Sequence, residues 1–248
     1  MTSRPSWPKI RAAAVHAYTA SGSVLALLIV VAAVDGDAVR ALWLGLAALV
    51  IDGTDGMLAR RFDVQGHVPG FDGARLDDIV DYLTYAFAPV VLLLRGGYLP
   101  GGTTGTVLAA LPLLASTYQF CRADAKTDDH MFLGFPSYWN VLAFYAVVLH
   151  ASPSTVGALL VVCSVLAFVP TGYVYPSRTV AFRPLTLALT AVWLVAYAVL
   201  LTQAPSAHPF WVVVSLGYVA YYLGLSAWLD VARRVRPAPV PVAAPSEL

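Results

Sequence analysis

The feature that most restricts the fold of this chain is a series of long runs without a charged residue. The first run, residues 12–34, is 23 residues long, which is enough for a helix to cross the hydrocarbon core of a membrane. Hydrophobic residues make up 59% of the 248 residues and charged residues only 12%, a balance far from that of a soluble globular protein. The sequence therefore predicts an all-α, polytopic integral membrane protein.

Turn-forming breaks divide the later runs into further helices. The run over 131–177 is too long for one span and is broken at His150–Pro153, and the run over 184–229 is broken at Gln203–Pro209. The pattern predicts about eight transmembrane helices. They cover residues 12–34, 38–60, 73–94, 96–121, 138–149, 155–173, 184–203 and 209–229.

The positive residues predict the orientation of these helices. With the N-terminus inside, every lysine and arginine of the chain falls on the inner side except Arg40 and Arg95, as the positive-inside rule requires. Both termini are then cytoplasmic. We expect residues 1–236 to form a single membrane-embedded domain and residues 237–248, rich in Pro and Ala, to be a disordered tail. The net charge of +1 gives no overall field that would attract nucleic acid.

One stretch, Asp52 to Asp81, concentrates carboxylates inside this apolar chain. Asp52 and Asp55 are three residues apart, and Asp77 and Asp81 are four apart, so each pair projects from one face of its own helix. The two helices run in opposite directions, so the four carboxylates should meet at one depth. Buried like charges repel one another and are costly to desolvate. A divalent cation resolves both problems, and oxygen-only ligands favour Mg²⁺ or Mn²⁺.

Small and basic residues accompany the carboxylates. Gly56 lies one turn beyond Asp52 and Gly73 one turn before Asp77, so the same faces hold positions where a ligand can approach the backbone. Ala59 keeps the face small, and the planar cation of Arg60 suits phosphate. These residues together predict a metal and pyrophosphate site.

At this point the residues resemble a known family, the CDP-alcohol phosphotransferases. The family signature has eight positions, and all are filled here, by Asp52, Asp55, Gly56, Ala59, Arg60, Gly73, Asp77 and Asp81. The spacer from Arg61 to Asp72 is twelve residues long, longer than in most members, and Gly53 follows the first aspartate. Both features look like the bacterial phosphatidylcholine synthase branch.

The resemblance implies a function and a set of residue roles. It implies transfer of the phosphatidyl group from CDP-diacylglycerol to choline with release of CMP, at the cytoplasmic face of a bacterial inner membrane. Asp52, Asp55 and Asp77 would hold metal, expected to be two ions of Mn²⁺ or Mg²⁺, with Asp81 as a further ligand and general base. Gly56, Ala59, Arg60 and Gly73 would bind the CDP group. A homodimer is a further expectation from the family.

Two rival functions stay open from the sequence. Another CDP-alcohol phosphotransferase would use a different acceptor, such as serine, inositol or glycerol phosphate, since fold and signature do not specify the alcohol. A cation transporter lined by carboxylates would also place aspartates inside the membrane. Release of CMP separates an enzyme from a transporter.

A second unusual stretch, Thr117 to Asn140, mixes aromatic and charged residues around the loop between the fourth and fifth predicted helices. A quaternary ammonium group is recognised by aromatic faces and a nearby carboxylate, so we expect the choline pocket here. The candidate residues are Phe120, Asp124, Phe132, Phe135, Tyr138 and Trp139, with Asp128 and Asp129 as other acidic candidates. The alternative is an interfacial aromatic belt.

Two smaller groups of polar residues also suggest roles. Arg178, in the loop after the sixth predicted helix, is a candidate for the lipid phosphate or an ordinary arginine of an inside loop. One side of the first helix is polar and either lines a site or hydrogen-bonds to a neighbouring helix. Its polar residues are His16, Tyr18, Thr19, Ser21 and Ser23.

Overall fold

The computed structural model describes residues 6–127 and 129–235, and most of these residues are helical. The predictions made for Arg4, Asp128, Arg236 and residues 237–248 lie outside the described residues. The helices are α1 (Trp7–Val34), α2 (Ala38–Arg61), α3 (Val64–His67), α4 (Gly73–Asp81), α5 (Ala88–Arg95), α6 (Gly102–Cys121), α7 (Trp139–Val148), α8 (Pro153–Phe168), α9 (Arg183–Gln203) and α10 (Pro209–Val235). A π-helical turn (Tyr82–Phe87) joins α4 to α5, and two strands, β1 (Met131–Leu133) and β2 (Gly172–Val174), pair antiparallel.

The prediction of a helical membrane protein is confirmed at this coarse level. Within the described part of the chain, four helices are long and apolar enough to cross a membrane, namely α1, α2, α9 and α10. Helices α7 and α8 are apolar but shorter, and α4, the π-helical turn and α5 follow one another without a break over 73–95. Each of the eight predicted segments contains helix.

The main differences from prediction lie in the boundaries of four helices, of which α1 begins early, at Trp7 rather than Ala12, and α10 ends late, at Val235 rather than Leu229. The sixth predicted helix was expected to reach Tyr173, but α8 ends at Phe168. Pro170 explains the early end, because the residue before a proline avoids the α conformation and proline has no N–H to donate. The chain beyond it instead forms β2 and pairs with β1, in the register Phe132 opposite Tyr173. The fourth predicted helix begins at Gly102 rather than Gly96, after a turn containing Pro100 and Gly101.

Side-chain caps and packing hold the helices that carry the motif. Asp37 caps α2 by accepting from the Arg40 N–H at 2.9 Å, and Asp72 caps α4 by accepting from the Arg75 N–H at 3.0 Å. Helix α1 packs against α2, α4 and α5. The spacer between the two halves of the motif contains the short helix α3, whose Val64 packs on the start of α1. These contacts bring the two acidic faces together.

Helix α10 fixes the small sheet at the same end of the molecule as the motif. The Gly172 N–H donates to Asp230 Oδ1 at 2.9 Å, and the Val174 N–H donates to Ser226 Oγ at 3.0 Å. The Tyr222 hydroxyl donates to the Val174 carbonyl at 3.0 Å. Side chains of α10 therefore pair with backbone groups of β2 and hold the sheet against this helix.

Candidate active site

Three carboxylates from α2 and α4 converge. Asp52, Asp55 and Asp77 each place an oxygen within 4.8 Å of the others. Asp55 is 6% exposed, and no Lys, Arg or His side chain in the described part of the chain forms an ion pair with any of the three. Oxygen donors at this spacing without a cationic partner suit a hard divalent cation. The donor set therefore fits the predicted Mg²⁺ or Mn²⁺.

Two hydroxyl groups orient these carboxylates. The Thr19 hydroxyl of α1 donates to Asp55 Oδ2 at 2.8 Å, and the Tyr85 hydroxyl donates to Asp52 Oδ2 at 2.5 Å. Such partners of metal-ligating groups fix their orientation. Of the two roles open for the polar side of α1, Thr19 makes a helix-to-helix hydrogen bond, and its acceptor is one of the motif carboxylates. Tyr85 was missed by the sequence analysis, although it lies one turn beyond Asp81.

Asp81 lies beside the three converging carboxylates. It lines the same cavity as Asp52 and Asp77, but among the described residues the group whose oxygens lie mutually within 4.8 Å contains only the other three. The two roles predicted for Asp81, a further metal ligand and the general base, stay predictions.

The small residues of the motif have two different environments. A Cβ added to Gly56 would meet only Arg60 Nη1, at 3.4 Å, so Gly56 borders open space. A Cβ added to Gly73 would lie 2.9 Å from His16 Cε1, so the bare face of Gly73 is in contact with an imidazole ring. Ala59 packs with the cluster formed by α1 and α3. The small side chains of the motif therefore allow close helix packing as well as access for a ligand.

His16 is itself unusual. Its ring lies 4.4 Å from that of Phe71, centroid to centroid, and its Nε2 is buried without a hydrogen-bond partner among the described residues. A buried polar nitrogen without a partner is costly. The sequence analysis named His16 as a residue that could line a site, and the structure places it beside Gly73 of the motif.

A cavity of about 960 Å³ extends from the carboxylates, close to the upper end of the range for ligand pockets. Its lining includes the carboxylates Asp52, Asp77 and Asp81, aromatic side chains from several segments, and aliphatic side chains such as Leu159 and Leu187. A molecule with a charged head group and an apolar body matches this combination of surfaces.

The aromatic residues predicted to bind choline have two different environments in the structure. Phe120, Phe132, Phe135 and Tyr138 line the cavity. Trp139 does not: it is fully buried, and its Nε1 donates to Ser116 Oγ at 2.7 Å. Trp139 is thus placed as a core residue, next to a residue that lines the cavity.

The two charged residues that were predicted to contact substrate, Asp124 and Arg178, are not among the residues that line the cavity. Asp124 is exposed and paired with Arg122, whose Nη2 lies 2.7 Å from Asp124 Oδ2. The hydrogen bonds from Arg122 hold the pKa of Asp124 below its ordinary value, so this carboxylate is already compensated. Arg178 is exposed and follows Ser177, which lines the cavity. Arg122 and Lys126, which the sequence analysis did not assign to the site, do line it.

Comparison with known proteins gives a consistent family. No protein-family model matches the chain. The phosphatidylcholine synthase of Pseudomonas aeruginosa is 40% identical over 222 residues, covering 89% of this chain and 92% of its own. That of Legionella pneumophila is 40% identical over 219 residues, covering 86% of each chain. That of Rhizobium meliloti is 38% identical over 223 residues, covering 89% of this chain and 90% of its own.

Proposed function

Because the chain belongs to the phosphatidylcholine synthase branch of the CDP-alcohol phosphotransferase family, we propose that it transfers the phosphatidyl group of CDP-diacylglycerol to choline. The observation that carries this proposal is identity of about 40% over nearly the whole chain, and it is supported by the convergence of three carboxylates of the motif. The products are phosphatidylcholine and CMP.

The carboxylates serve as the ligands of the metal in this proposal. Asp52, Asp55 and Asp77 would hold Mn²⁺ or Mg²⁺, two ions by analogy with the family, with Asp81 close enough to complete the site. The ions would neutralise charge that builds on the pyrophosphate during transfer. The Thr19 and Tyr85 hydroxyls keep Asp55 and Asp52 in position, so their contribution is orientation of the ligands.

Asp81 acts on the acceptor. It takes the proton of the choline hydroxyl as that oxygen attacks the phosphorus bonded to diacylglycerol. A new oxygen–phosphorus bond forms, the bond from phosphorus to the CMP oxygen breaks, and CMP leaves with the electron pair. Gly56 and Arg60 border the open side of α2, where the CDP group would lie. Ala59 lets α2 pack closely on α1 and α3, and Gly73 lets α4 pack closely on α1. Lys126 and Arg122 add positive charge at the cavity.

The membrane setting is part of the proposal. We place residues 1–236 in one domain with eight spans, in a bacterial inner membrane, with both termini and the active site facing the cytoplasm. The distribution of positive charge supports this, because every described lysine and arginine apart from Arg40 and Arg95 lies in a loop or near a helix end on the side that carries Asp77, Lys126 and Arg234. The aliphatic part of the cavity leaves space for acyl chains beside the lipid.

The test is an assay of CMP release by the purified protein in mixed micelles containing CDP-diacylglycerol. Release should require both choline and Mn²⁺ or Mg²⁺, should stop on chelation with EDTA, and should match the phosphatidylcholine formed. Asp52→Asn should abolish it, and Asp63→Asn, which alters an exposed carboxylate of the spacer, should not. Release that requires serine, inositol or glycerol phosphate would overturn the acceptor. Choline uptake into vesicles without CMP release would overturn the enzyme assignment.

A further inference from the structure

The aromatic side chains that line the cavity differ in whether their faces are free. Phe132 and Tyr175 stack on each other, with centroids 4.5 Å apart and planes 28° apart, and the Lys126 ammonium lies 5.9 Å from the Tyr175 centroid. Tyr218 stacks on Trp193 at 5.5 Å and 29°. A stacked ring has one face covered by its neighbour, and Tyr175 already has a cation near its ring. These pairs offer little aromatic surface to a further cation.

Three other tyrosines form a different arrangement. The Tyr85 and Tyr138 centroids lie 6.1 Å apart with planes at 39°, and the Tyr138 and Tyr222 centroids lie 6.0 Å apart with planes at 59°. All three line the cavity. Rings at this spacing and tilt do not cover one another, and a cation lying between two of them can be within about 6 Å of both centroids. They form adjacent walls of one aromatic corner.

Hydrogen bonds hold two of these rings in place before any ligand binds. The Tyr85 hydroxyl donates to Asp52 Oδ2 at 2.5 Å, and the Tyr222 hydroxyl donates to the Val174 carbonyl at 3.0 Å. Tyr85 and Tyr222 are only 8% and 9% exposed. Rings that are already fixed cost less ordering free energy when a ligand binds.

The length of choline connects this corner to the proposed base. Two carbon atoms separate its oxygen from its nitrogen, so the two atoms are at most about 4 Å apart. With the hydroxyl at Asp81, the trimethylammonium group must lie against the residues beside Asp81. Tyr85 is one turn further along the same helical segment and contacts Asp52, and Tyr138 is its aromatic neighbour across the cavity.

We propose that Tyr85, Tyr138 and Tyr222 together bind the trimethylammonium group of the acceptor. This site rests on the proposed function, and it replaces most of the predicted segment 120–139 with residues from three distant parts of the chain. A primary ammonium needs hydrogen-bond acceptors for its own N–H groups, whereas a quaternary ammonium has none to satisfy. The site therefore selects methylated ammonium groups.

Tyr222 gives the cleanest test, because its hydroxyl bonds to the Val174 carbonyl, whereas that of Tyr85 bonds to Asp52 of the motif. Initial rates of the purified holoenzyme in mixed micelles give the KM for choline and for CDP-diacylglycerol, and the Ki for tetramethylammonium, which has the cation but no hydroxyl. Tyr222→Leu should raise the choline KM and the tetramethylammonium Ki by a common factor of about 2- to 30-fold, the size of one cation–π contact. The KM for CDP-diacylglycerol should stay near its original value.

Two further variants separate binding from folding. Tyr222→Phe keeps the ring but loses the bond to Val174, so both constants should rise much less than in Tyr222→Leu. Tyr221→Leu alters the preceding residue, whose hydroxyl bonds to Thr186, and should leave the choline KM unchanged. If Tyr222→Leu does not yield folded protein, Tyr138→Leu is measured in its place, with the same expected changes.

The outcomes distinguish the site from the function. Wild-type protein that makes no phosphatidylcholine from choline overturns the proposed function, and the tyrosine site with it. Active wild-type protein whose choline KM and tetramethylammonium Ki are the same in folded Tyr222→Leu, or in folded Tyr138→Leu, overturns the tyrosine site alone. A rise in the constant for CDP-diacylglycerol equal to that for choline also overturns it, since the defect would then not be specific to the cation.

Discussion

The acidic and aromatic parts of the cavity are built from the chain in different ways. The carboxylates come from one stretch of 30 residues, Asp52 to Asp81, carried by two neighbouring helices. The free aromatic corner takes Tyr85 from the π-helical turn, Tyr138 from the start of α7 and Tyr222 from α10. The first depends on spacing along helices, whereas the second depends on how distant segments pack. In our proposal, the chemistry common to the family resides in the first part, and the choice of acceptor resides in the second.

The largest expected effect lies at the acidic part. Asp81→Asn keeps the size of the side chain but cannot take a proton, so turnover should fall on the order of 10²–10⁴-fold. Binding of CDP-diacylglycerol, measured with the radiolabelled lipid, should persist. Asp63→Asn is the matched control. Near-normal turnover of Asp81→Asn would assign the base to another group and remove the functional division between the two parts of the cavity.

The next prediction tests whether the acidic motif depends on α1, which lies outside the motif in sequence. Gly73→Ala introduces a Cβ 2.9 Å from His16 Cε1, and overpacking of this kind costs about 1–3 kcal/mol. Turnover should fall roughly 5- to 150-fold if the strain falls on the active conformation, and His16→Ala in the same chain should restore most of it. His16→Ala alone provides the baseline.

Failure of His16→Ala to restore a folded Gly73→Ala protein would show that the glycine is needed for contact with substrate. The bare backbone would then serve the nucleotide, as the resemblance implies. Recovery would show instead that this position of the motif depends on α1, which lies outside the motif in sequence.

The sequence predicted the convergence of Asp52, Asp55 and Asp77, which the structure shows, from local spacing and the opposite directions of two helices. Spacings of three and four residues place Asp52 with Asp55 and Asp77 with Asp81 whatever the rest of the chain does. The charge-free runs likewise predicted most of the helices. Nothing local connects Tyr222 to Tyr138. The strand that Tyr222 contacts, β2, pairs with β1 through residues about 40 positions apart. Such contacts require the assembled fold.

Tyr138 and Trp139 illustrate a second reason for the incomplete prediction. Tyr138 is the N-cap residue of α7, with φ −76° and ψ 51°, so its side-chain direction does not follow the helical period. The sequence analysis treated both residues alike, but one lines the cavity and the other is buried in the core. Helical spacing cannot assign faces at a residue that is not helical.

The third prediction uses Tyr85, which belongs to both parts. Tyr85→Phe keeps the ring of the aromatic corner and removes the hydroxyl that orients Asp52. Loss of such a partner typically costs 10–100-fold in metal affinity or activity, so the Mn²⁺ concentration for half-maximal rate should rise within about that range. The choline KM, measured at saturating Mn²⁺, should change much less. Equal changes in both constants would show that the two parts cannot be separated at this residue.

The smallest expected effect compares two adjacent aromatic residues. Tyr138→Ala should raise the choline KM by about 2- to 30-fold without changing that for CDP-diacylglycerol, since one wall of the corner is lost. Trp139→Ala removes a fully buried ring and its bond to Ser116, which should lower the free energy of unfolding by about 3–5 kcal/mol. The protein that remains folded should have an unchanged choline KM. Thermal unfolding in detergent, followed together with both Michaelis constants, separates the two effects. A choline constant that moves in Trp139→Ala but not in Tyr138→Ala would mean that the acceptor lies on the other side of α7, and the tyrosine corner would then have no role in choosing it.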